Sequence, residues 1–108
     1  MNFKSLNIMD SIMAIKNGAL IIDVREQTEY DEAHLENGVL VPLSEVNASK
    51  INEVNSENKP IIIHCRSGQR SKVAANILLS QNYTGEILEM DEGINGWIEA
   101  NQFVLSKT

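Results

Sequence analysis

The chain has a single cysteine, Cys65, in a segment whose residue types suit the binding of an anion. Arg66 and Arg70 place fixed positive charge close to it. Gly68 allows a backbone conformation in which successive amides point to one side as a nest. A thiol beside cations or at a helix start loses its proton more easily, because these groups stabilise the thiolate. The segment therefore predicts a reactive thiolate in a small cup that accepts an anionic substrate.

A strand and a helix are predicted on either side of this cysteine. Three consecutive β-branched residues, Ile61 to Ile63, predict a buried strand. The segment from Ser71 to Gln81 predicts a helix with one apolar face, made of Val73, Ala74, Ile77 and Leu78. A tight strand-to-helix turn is a common way for α/β folds to present a nucleophile. An inert core cysteine is the alternative, but burial alone gives no reason for two arginines and a glycine nearby.

The remaining segments alternate between strand and helix patterns. Further strands are predicted at Phe3 to Leu6, Ala19 to Val24, Val39 to Val41 and Gly85 to Met90. Further helices are predicted at Ile8 to Lys16, Glu26 to His34 and Ile94 to Ala100, and one or two helical turns are predicted within Ser44 to Val54. Asn7 is the predicted cap of the first helix, and Ser44 that of these turns. The tail after Phe103 shows no clear pattern. This alternation predicts an α/β fold with a central parallel sheet of about five strands and helices on both faces.

Composition and charge limit the classes of function. The chain of 108 residues carries a net charge of −6, yet the segment from Asn58 to Gly85 holds no Asp or Glu. Its basic residues are Lys59, Arg66, Arg70 and Lys72. An acidic protein with a local cationic site favours a small anionic ligand over general binding to nucleic acid.

Length and cysteine content suggest a simple organisation. Residues 1–108 are predicted to form a single domain. Asp10 and Lys16 interrupt any apolar core of a signal peptide, and no stretch approaches transmembrane length. One cysteine allows no internal disulfide, and no Cys and His cluster has the spacing of a zinc site. We therefore expect a cytoplasmic protein without a metal.

Several motifs resemble those of one known family. The segment from Cys65 to Ser71, Cys-Arg-Ser-Gly-Gln-Arg-Ser, resembles the active-site loop of the rhodanese family of sulfurtransferases. The other similar segments, in the order the family has them, are Leu20 to Glu26 with its Asp-Val-Arg signature, Glu29-Tyr30, His34-Leu35, Gly38, Val41-Pro42-Leu43, and Gly93 to Trp97. One departure is Glu92, where the family often has a glycine, and it concerns the shape and charge of one rim of the pocket.

The resemblance implies a rhodanese-like domain with sulfurtransferase activity that requires no cofactor or metal. Cys65 would take the outer sulfur of a small anionic donor such as thiosulfate, and its persulfide would pass the sulfur to cyanide or a thiol. The residues predicted to bind the substrate are Arg66, Ser67, Gly68, Gln69, Arg70 and Ser71. Asp23 and Arg25 are predicted to support the loop through an ion pair or backbone hydrogen bonds. His64 is predicted to be structural, because alternation along a strand turns its side chain away from Cys65.

Two other functions are alternatives. The first is a carrier module that hands its persulfide to a partner protein. The second is a cysteine-type phosphatase or arsenate reductase, whose loops have five residues between cysteine and arginine. Here only four residues separate Cys65 from Arg70, which predicts a cup better matched to one sulfur than to a phosphoryl group. In every case we expect no nucleic acid and no membrane as partner.

Overall fold

The structure, a computed structural model, describes residues 2–106. In chain order its elements are β1 (Lys4–Leu6), α1 (Ile8–Lys16), β2 (Leu20–Asp23), α2 (Gln27–Glu32), β3 (Ala33–His34), β4 (Val39–Leu40), a 3-10 helix (Leu43–Glu45), α3 (Ala48–Val54), β5 (Ile61–His64), α4 (Gln69–Ser80), β6 (Ile87–Met90), α5 (Gly93–Glu99) and β7 (Leu105–Ser106). Most predicted elements are present, with ends that differ by one or two residues.

Five of the strands form a parallel sheet in the order β1-β6-β5-β2-β4. The central strand β5 pairs with β2 on one side and β6 on the other, so that Ile62 lies between Ile21 and Leu88. Continuous apolar runs are typical of parallel strands that are covered on both faces. The predicted α/β class with a five-stranded parallel sheet is confirmed, and Cys65 follows the central strand.

Helices cover both faces of this sheet. Ile61 and Ile63 point to one face, where they pack with residues of α3 and α4: Ile51, Ala74, Ala75 and Leu78. Ile62 points to the other face, where it packs with residues of α1 and α5: Ile8, Ile12, Ile94 and Trp97. The sheet is therefore the middle layer of three, and its carboxyl ends are left for the loops.

The helix after Cys65 differs from the prediction in its start and in its buried face. It begins at Gln69, two residues earlier than expected, because Gly68 adopts a left-handed conformation that ends the loop there. Val73 is 50% exposed, although the sequence pattern placed it on the apolar face. The small residues Ala74 and Ala75 face the sheet instead, which brings the helix close to β5 and β6.

The predicted helix from Glu26 to His34 is wrong over its last two residues. The helix ends at Glu32, and the two residues of β3 pair in an antiparallel ribbon with β7. The partner strand lies in the tail after Phe103, which shows no clear sequence pattern, so this pairing could not be predicted locally. A capping box between Glu26 and Glu29 fixes the start of α2.

One of the two predicted helix caps is present. The Asn7 side chain accepts a hydrogen bond of 2.8 Å from the Asp10 amide at the start of α1. The prediction for Ser44 is wrong, because Ser44 lies in the 3-10 helix and the side chain of Asn47 caps α3 through the Lys50 amide. Across residues 2–106, the helices are too short or too polar to cross a membrane.

Candidate active site

The sulfur of Cys65 is enclosed by the loop that follows it. Cys65 is only 1% exposed, and it comes directly after β5. Its Sγ accepts hydrogen bonds from the backbone N–H of Gly68 at 3.1 Å and of Ser71 at 3.4 Å. The thiol also lies 3.6 Å from Ser71 Oγ, to which it can donate. The loop therefore curls back over the sulfur and directs donors at it, as expected for a site that holds an anion.

Gly68 is required at its position for two physical reasons. Its φ of +102° lies in the region that favours glycine. A Cβ built there would lie 2.1 Å from the carbonyl oxygen of Asp91, which is closer than atoms can approach. Only glycine therefore allows the loop to pass this close to the end of β6 while its amide faces Cys65.

The start of α5 holds the other side of the loop. The Ile94 amide donates to the carbonyl oxygen of Cys65 at 2.9 Å, and the Asn95 amide donates to that of Arg66 at 3.1 Å. A Cβ on Gly93, whose φ is +61°, would lie 2.5 Å from the Arg66 carbonyl oxygen. The carbonyl groups are thus turned toward α5 and away from the sulfur. Glu92, the residue that departs from the family pattern, is exposed just before this helix.

Opposing effects set the acidity of the thiol. Burial raises the pKa of Cys65, because the thiolate loses hydration. Hydrogen bonds from the Ser71 hydroxyl and from the amides of Ser71, Gly68 and Ser67 act in the other direction. Their sum is larger, so the pKa of Cys65 lies below that of an ordinary thiol.

We expect this shift to be measurable by titration. The ultraviolet absorbance of the Cys65 thiolate, followed against pH, should reach half of its maximum below about 8.5, the value of a free thiol. The Cys65→Ser variant provides the blank, because the chain has no other cysteine. A midpoint at or above that of a free thiol would contradict the loop geometry described above.

The two arginines of the loop converge on one carboxylate. Arg70 binds Glu29 of α2 through both guanidinium Nη atoms, at 2.7 and 3.0 Å. Arg66 Nε lies 3.5 Å from the same carboxylate, and the Arg66 side chain is 60% exposed. The hydrogen bond from Arg70, opposed in part by burial, lowers the pKa of Glu29 to about 2. In this structure the Arg70 guanidinium is therefore paired with Glu29, and its role toward a substrate stays a prediction.

A lysine is neutralised in the same way on the other side of the loop. Lys72 Nζ lies 2.7 Å from Asp91 and 3.3 Å from Glu89, and it donates to the Gly68 carbonyl at 3.1 Å. The segment from Asn58 to Gly85 has no acidic residue of its own, but carboxylates of neighbouring elements pair with its cations. The predicted local cationic site is largely compensated, and the backbone amides are the donors that remain directed at Cys65.

The residues predicted to bind substrate fall into three groups. Gly68 and Ser71 are buried and contact the sulfur through hydrogen bonds. Arg66, Ser67 and Gln69 are exposed on the rim of the loop. Arg70, already described, lies between these groups and is 32% exposed.

Asp23 and Arg25 support the site from the adjacent strand, as the expected ion pair. Arg25 Nη2 lies 2.8 Å from Asp23 and donates to the Ala33 carbonyl at 2.7 Å, which ties β2 to β3. Neither residue contacts the sulfur in the hydrogen bonds of this structure. Both side chains are buried, and their support of the loop stays a prediction.

His64 is fully buried and turned away from the cup. Its Nδ1 lies 3.2 Å from the Cys65 carbonyl oxygen. Its Nε2 has no hydrogen-bond partner among residues 2–106, and Asp23 lies 3.6 Å from it. Burial lowers the pKa of His64, so the ring is neutral at pH 7. The histidine is structural, as predicted, but only one of its two ring nitrogens makes a hydrogen bond. Within residues 2–106, no cluster of three His, Cys, Asp or Glu side chains could hold a metal ion.

Glu29 and Glu89 are residues of this site for which the sequence predicted no role, although Glu29 belongs to the quoted motif Glu29-Tyr30. Glu89 is fully buried in β6, where it accepts a hydrogen bond of 2.6 Å from the Ser71 hydroxyl. One signal for it was available. A lone carboxylate within the otherwise apolar run Ile87-Leu88-Glu89-Met90 is unusual for a buried strand and indicates a specific partner.

Known proteins share this fold and these motifs. The sequence model of the family described as "Rhodanese-like domain" matches residues 8–100. A putative sulfur carrier protein of Bacillus subtilis, YrkF, is 40% identical over 77 residues, which are 71% of this chain and 40% of that protein. The thiosulfate sulfurtransferase GlpE of Coxiella burnetii is 26% identical over 98 residues, which are 90% of this chain and 89% of that protein.

Solved structures show the same similarity. A rhodanese-related protein from Thermoplasma volcanium superposes with a TM-score of 0.80 at 29% identity, covering 95% of this chain and 98% of that one. The present chain spans less than half the length of several curated relatives. The family model covers most of the chain, and the chain belongs to the rhodanese-like domain family.

Proposed function

We propose that the protein is a sulfurtransferase in which Cys65 carries a sulfane sulfur as a persulfide. The observation behind the proposal is the buried Cys65 sulfur that faces the amides of Gly68 and Ser71. Such donors stabilise a thiolate, and they also stabilise the negative terminal sulfur of a persulfide. Membership of the family and the sulfur chemistry named for two relatives support the same reaction.

The first half-reaction loads the enzyme. The Cys65 thiolate attacks the outer sulfur of thiosulfate, a new S–S bond forms, and the old S–S bond breaks as sulfite leaves with the electron pair. The donor is a dianion, and the loop amides with the exposed Arg66 are the groups nearest to its path. The product is a Cys65 persulfide with its negative end inside the ring of amides.

The second half-reaction returns the thiolate. Cyanide or a thiol attacks the terminal sulfur, and the S–S bond to Cys65 breaks with its electrons on Cys65. Dividing the transfer into two steps gives ping-pong kinetics. Arg66, Ser67 and Gln69 are exposed on the rim of the loop, and we expect them to meet both substrates in turn.

A carrier function is the second candidate. It is favoured by the similarity to a protein described as a putative sulfur carrier, of which this chain covers 40%. It also agrees with the neutralisation of Arg70 by Glu29, because the site then offers little free charge for a small dianion. In that case the persulfide is loaded and unloaded by proteins, and turnover of free thiosulfate is slow.

Mass spectrometry tests both candidates on the same sample. After incubation with thiosulfate, the protein should gain the mass of one sulfur atom on Cys65 and lose it again on addition of cyanide. Rapid thiocyanate release supports the sulfurtransferase, whereas stable loading with slow release supports the carrier. Cys65→Ala is the control, and absence of any added sulfur from every donor, including protein persulfides, would contradict both.

A further inference from the structure

Glu29 of α2 holds its carboxylate against the loop that carries the nucleophile. Its Oε1 accepts hydrogen bonds from Arg70 Nη1 at 2.7 Å and from the Glu26 amide at 3.0 Å. Its Oε2 accepts from Arg70 Nη2 at 3.0 Å and lies 3.5 Å from Arg66 Nε. The Glu29 side chain is 17% exposed, so these contacts are partly shielded from water. A carboxylate held by these donors is fixed in place before any substrate arrives.

This carboxylate makes the contact that an anionic substrate would make with Arg70. A guanidinium presents paired N–H groups that match two oxygens of a carboxylate or of a tetrahedral oxyanion. Glu29 already occupies both of these donors. The hydrogen bond from Arg70 lowers the pKa of Glu29 to about 2 against the opposing effect of burial, so the carboxylate is charged at neutral pH. The site therefore contains an anion of its own.

Arg70 is close enough to Cys65 to influence an anion that approaches the sulfur. It lies in the first turn of α4, and the next amide along the chain, that of Ser71, donates to the sulfur at 3.4 Å. The hydrogen bond to Glu29 raises the pKa of Arg70 most, and the negative charge of the Cys65 thiolate raises it as well. An anion beside a cation cancels most of the potential that the pair exerts farther away. With Glu29 in place, Arg70 therefore adds little attraction for an approaching anion.

The other cations of the loop region also compensate little negative charge. Lys72 is bound to Asp91 at 2.7 Å and to Glu89 at 3.3 Å. Arg66 is held only loosely, at 3.5 Å from Glu29, and its side chain is 60% exposed. The backbone amides of the loop can stabilise one negative sulfur. The balance of charge around the loop therefore suits a donor with a single negative charge better than a dianion.

We propose that Glu29 is a specificity-determining residue, which selects sulfur donors of low negative charge by occupying Arg70 in place of the donor. This deepens the proposed function, on whose sulfur transfer it rests. The favoured donors are persulfides and thiosulfonates, whose reacting groups carry one negative charge. Thiosulfate carries two, and it must approach Arg70 against the charge of Glu29. The carboxylate acts on the choice of donor and takes no part in making or breaking bonds.

The first measurement is the alkylation of Cys65, the only cysteine of the chain, by iodoacetate and by iodoacetamide. The two reagents have nearly the same size, but only iodoacetate carries a negative charge. Dividing the rate constant for iodoacetate by that for iodoacetamide cancels any change in thiolate fraction or in access to the sulfur. We expect this alkylation ratio to be about threefold higher in Glu29→Gln than in the parent chain. A rise of less than about twofold, or a fall, would overturn the proposal.

The second measurement compares two sulfur donors, with cyanide as the acceptor for both. Thiosulfate is a dianion and the methanethiosulfonate ion is a monoanion. In both donors the thiolate attacks the outer sulfur, and sulfite or methanesulfinate leaves with the electron pair. Because the donors differ by one charge, kcat/KM for thiosulfate divided by that for methanethiosulfonate should also rise about threefold in Glu29→Gln. A purely structural role of Glu29 predicts instead that both values fall together and that this donor ratio is unchanged.

Glu29→Gln is expected to fold, which a thermal melt checks. Glutamine at this position can complete the capping box of α2, and its side-chain oxygen can still accept a hydrogen bond from Arg70. The parent chain also gives a check that requires no variant. Because Arg70 is already neutralised, the alkylation ratio of the parent should exceed that of the uncharged thiol 2-mercaptoethanol by less than about twofold. A higher ratio in the parent would contradict the proposal.

Glu32→Gln is the matched control for net charge. It makes the same change of charge at the exposed end of the same helix, so both ratios should stay within about 1.5-fold of the parental values. An equal rise in Glu32→Gln and Glu29→Gln would mean that net charge alone is responsible, and would overturn the proposal. The alkylation needs no sulfur donor. A raised alkylation ratio in a protein that loads no sulfur would therefore contradict the proposed function and still support the effect of Glu29 on anions.

Discussion

Cys65→Ser is expected to abolish sulfur transfer, with a loss of more than about 10³-fold in the rate of thiocyanate formation. A serine hydroxyl does not ionise near pH 7, and it cannot form the persulfide on which both half-reactions depend. Serine is close to cysteine in size, and the donors from Gly68 and Ser71 can reach its oxygen. The expected loss is therefore chemical, with the fold retained.

The measurement is thiosulfate:cyanide turnover together with a thermal melt. Val73→Ala is a suitable control, because Val73 lies on the exposed side of α4, away from the loop. It should retain both turnover and melting temperature. Turnover by Cys65→Ser close to that of the parent would show that another group carries the sulfur.

Gly68→Ala is expected to have the second largest effect, on both stability and catalysis. The added methyl group would meet the Asp91 carbonyl at 2.1 Å, so the loop must move outward. We expect a loss of more than about 3 kcal/mol in the free energy of unfolding, from the strained φ and the collision together. Displacing the amide that faces Cys65 should reduce the rate of sulfur loading by about 10²-fold.

Gly18→Ala provides a matched control for the backbone strain. Gly18 has a φ of +101°, nearly that of Gly68, but a Cβ built there meets no atom of the described part of the chain within 4 Å. It also lies after α1, at the opposite end of the sheet from Cys65. Its alanine variant should lose only about 1–2 kcal/mol and keep full activity. Equal losses in the two variants would mean that the contact with Asp91 does not shape the loop.

The sheet and the nucleophile were predictable because their signals are local. The run from Ile61 to Ile63 predicts a buried strand, and Cys65, which follows it closely, must lie at the carboxyl end of the sheet. Gly68 was also a local signal, because a glycine indicates a turn through the conformation of its own backbone. Patterns within a few residues are sufficient for features of this kind.

The partners of the site's carboxylates were not predictable, because each carboxylate reaches the loop from a distant element. Glu29 lies 41 positions before Arg70, and Glu89 lies 18 positions after Ser71. No local sequence pattern connects residues so far apart. The sequence around the loop therefore showed its cations but not the carboxylates that pair with them. The pairing of β3 with β7 was missed for the same reason, since two strands of two residues have too little pattern of their own.

The hydrogen bond between Ser5 and Glu89 joins residues that are 84 positions apart, since β1 lies beside β6 in the sheet. The amino-terminal strand therefore waits for β6, which is among the last elements to be synthesised. The carbonyl groups of Cys65 and Arg66 likewise gain their partners, the amides of Ile94 and Asn95, only when α5 is in place. We therefore expect the loop around Cys65 to become ordered only after nearly the whole chain has been synthesised.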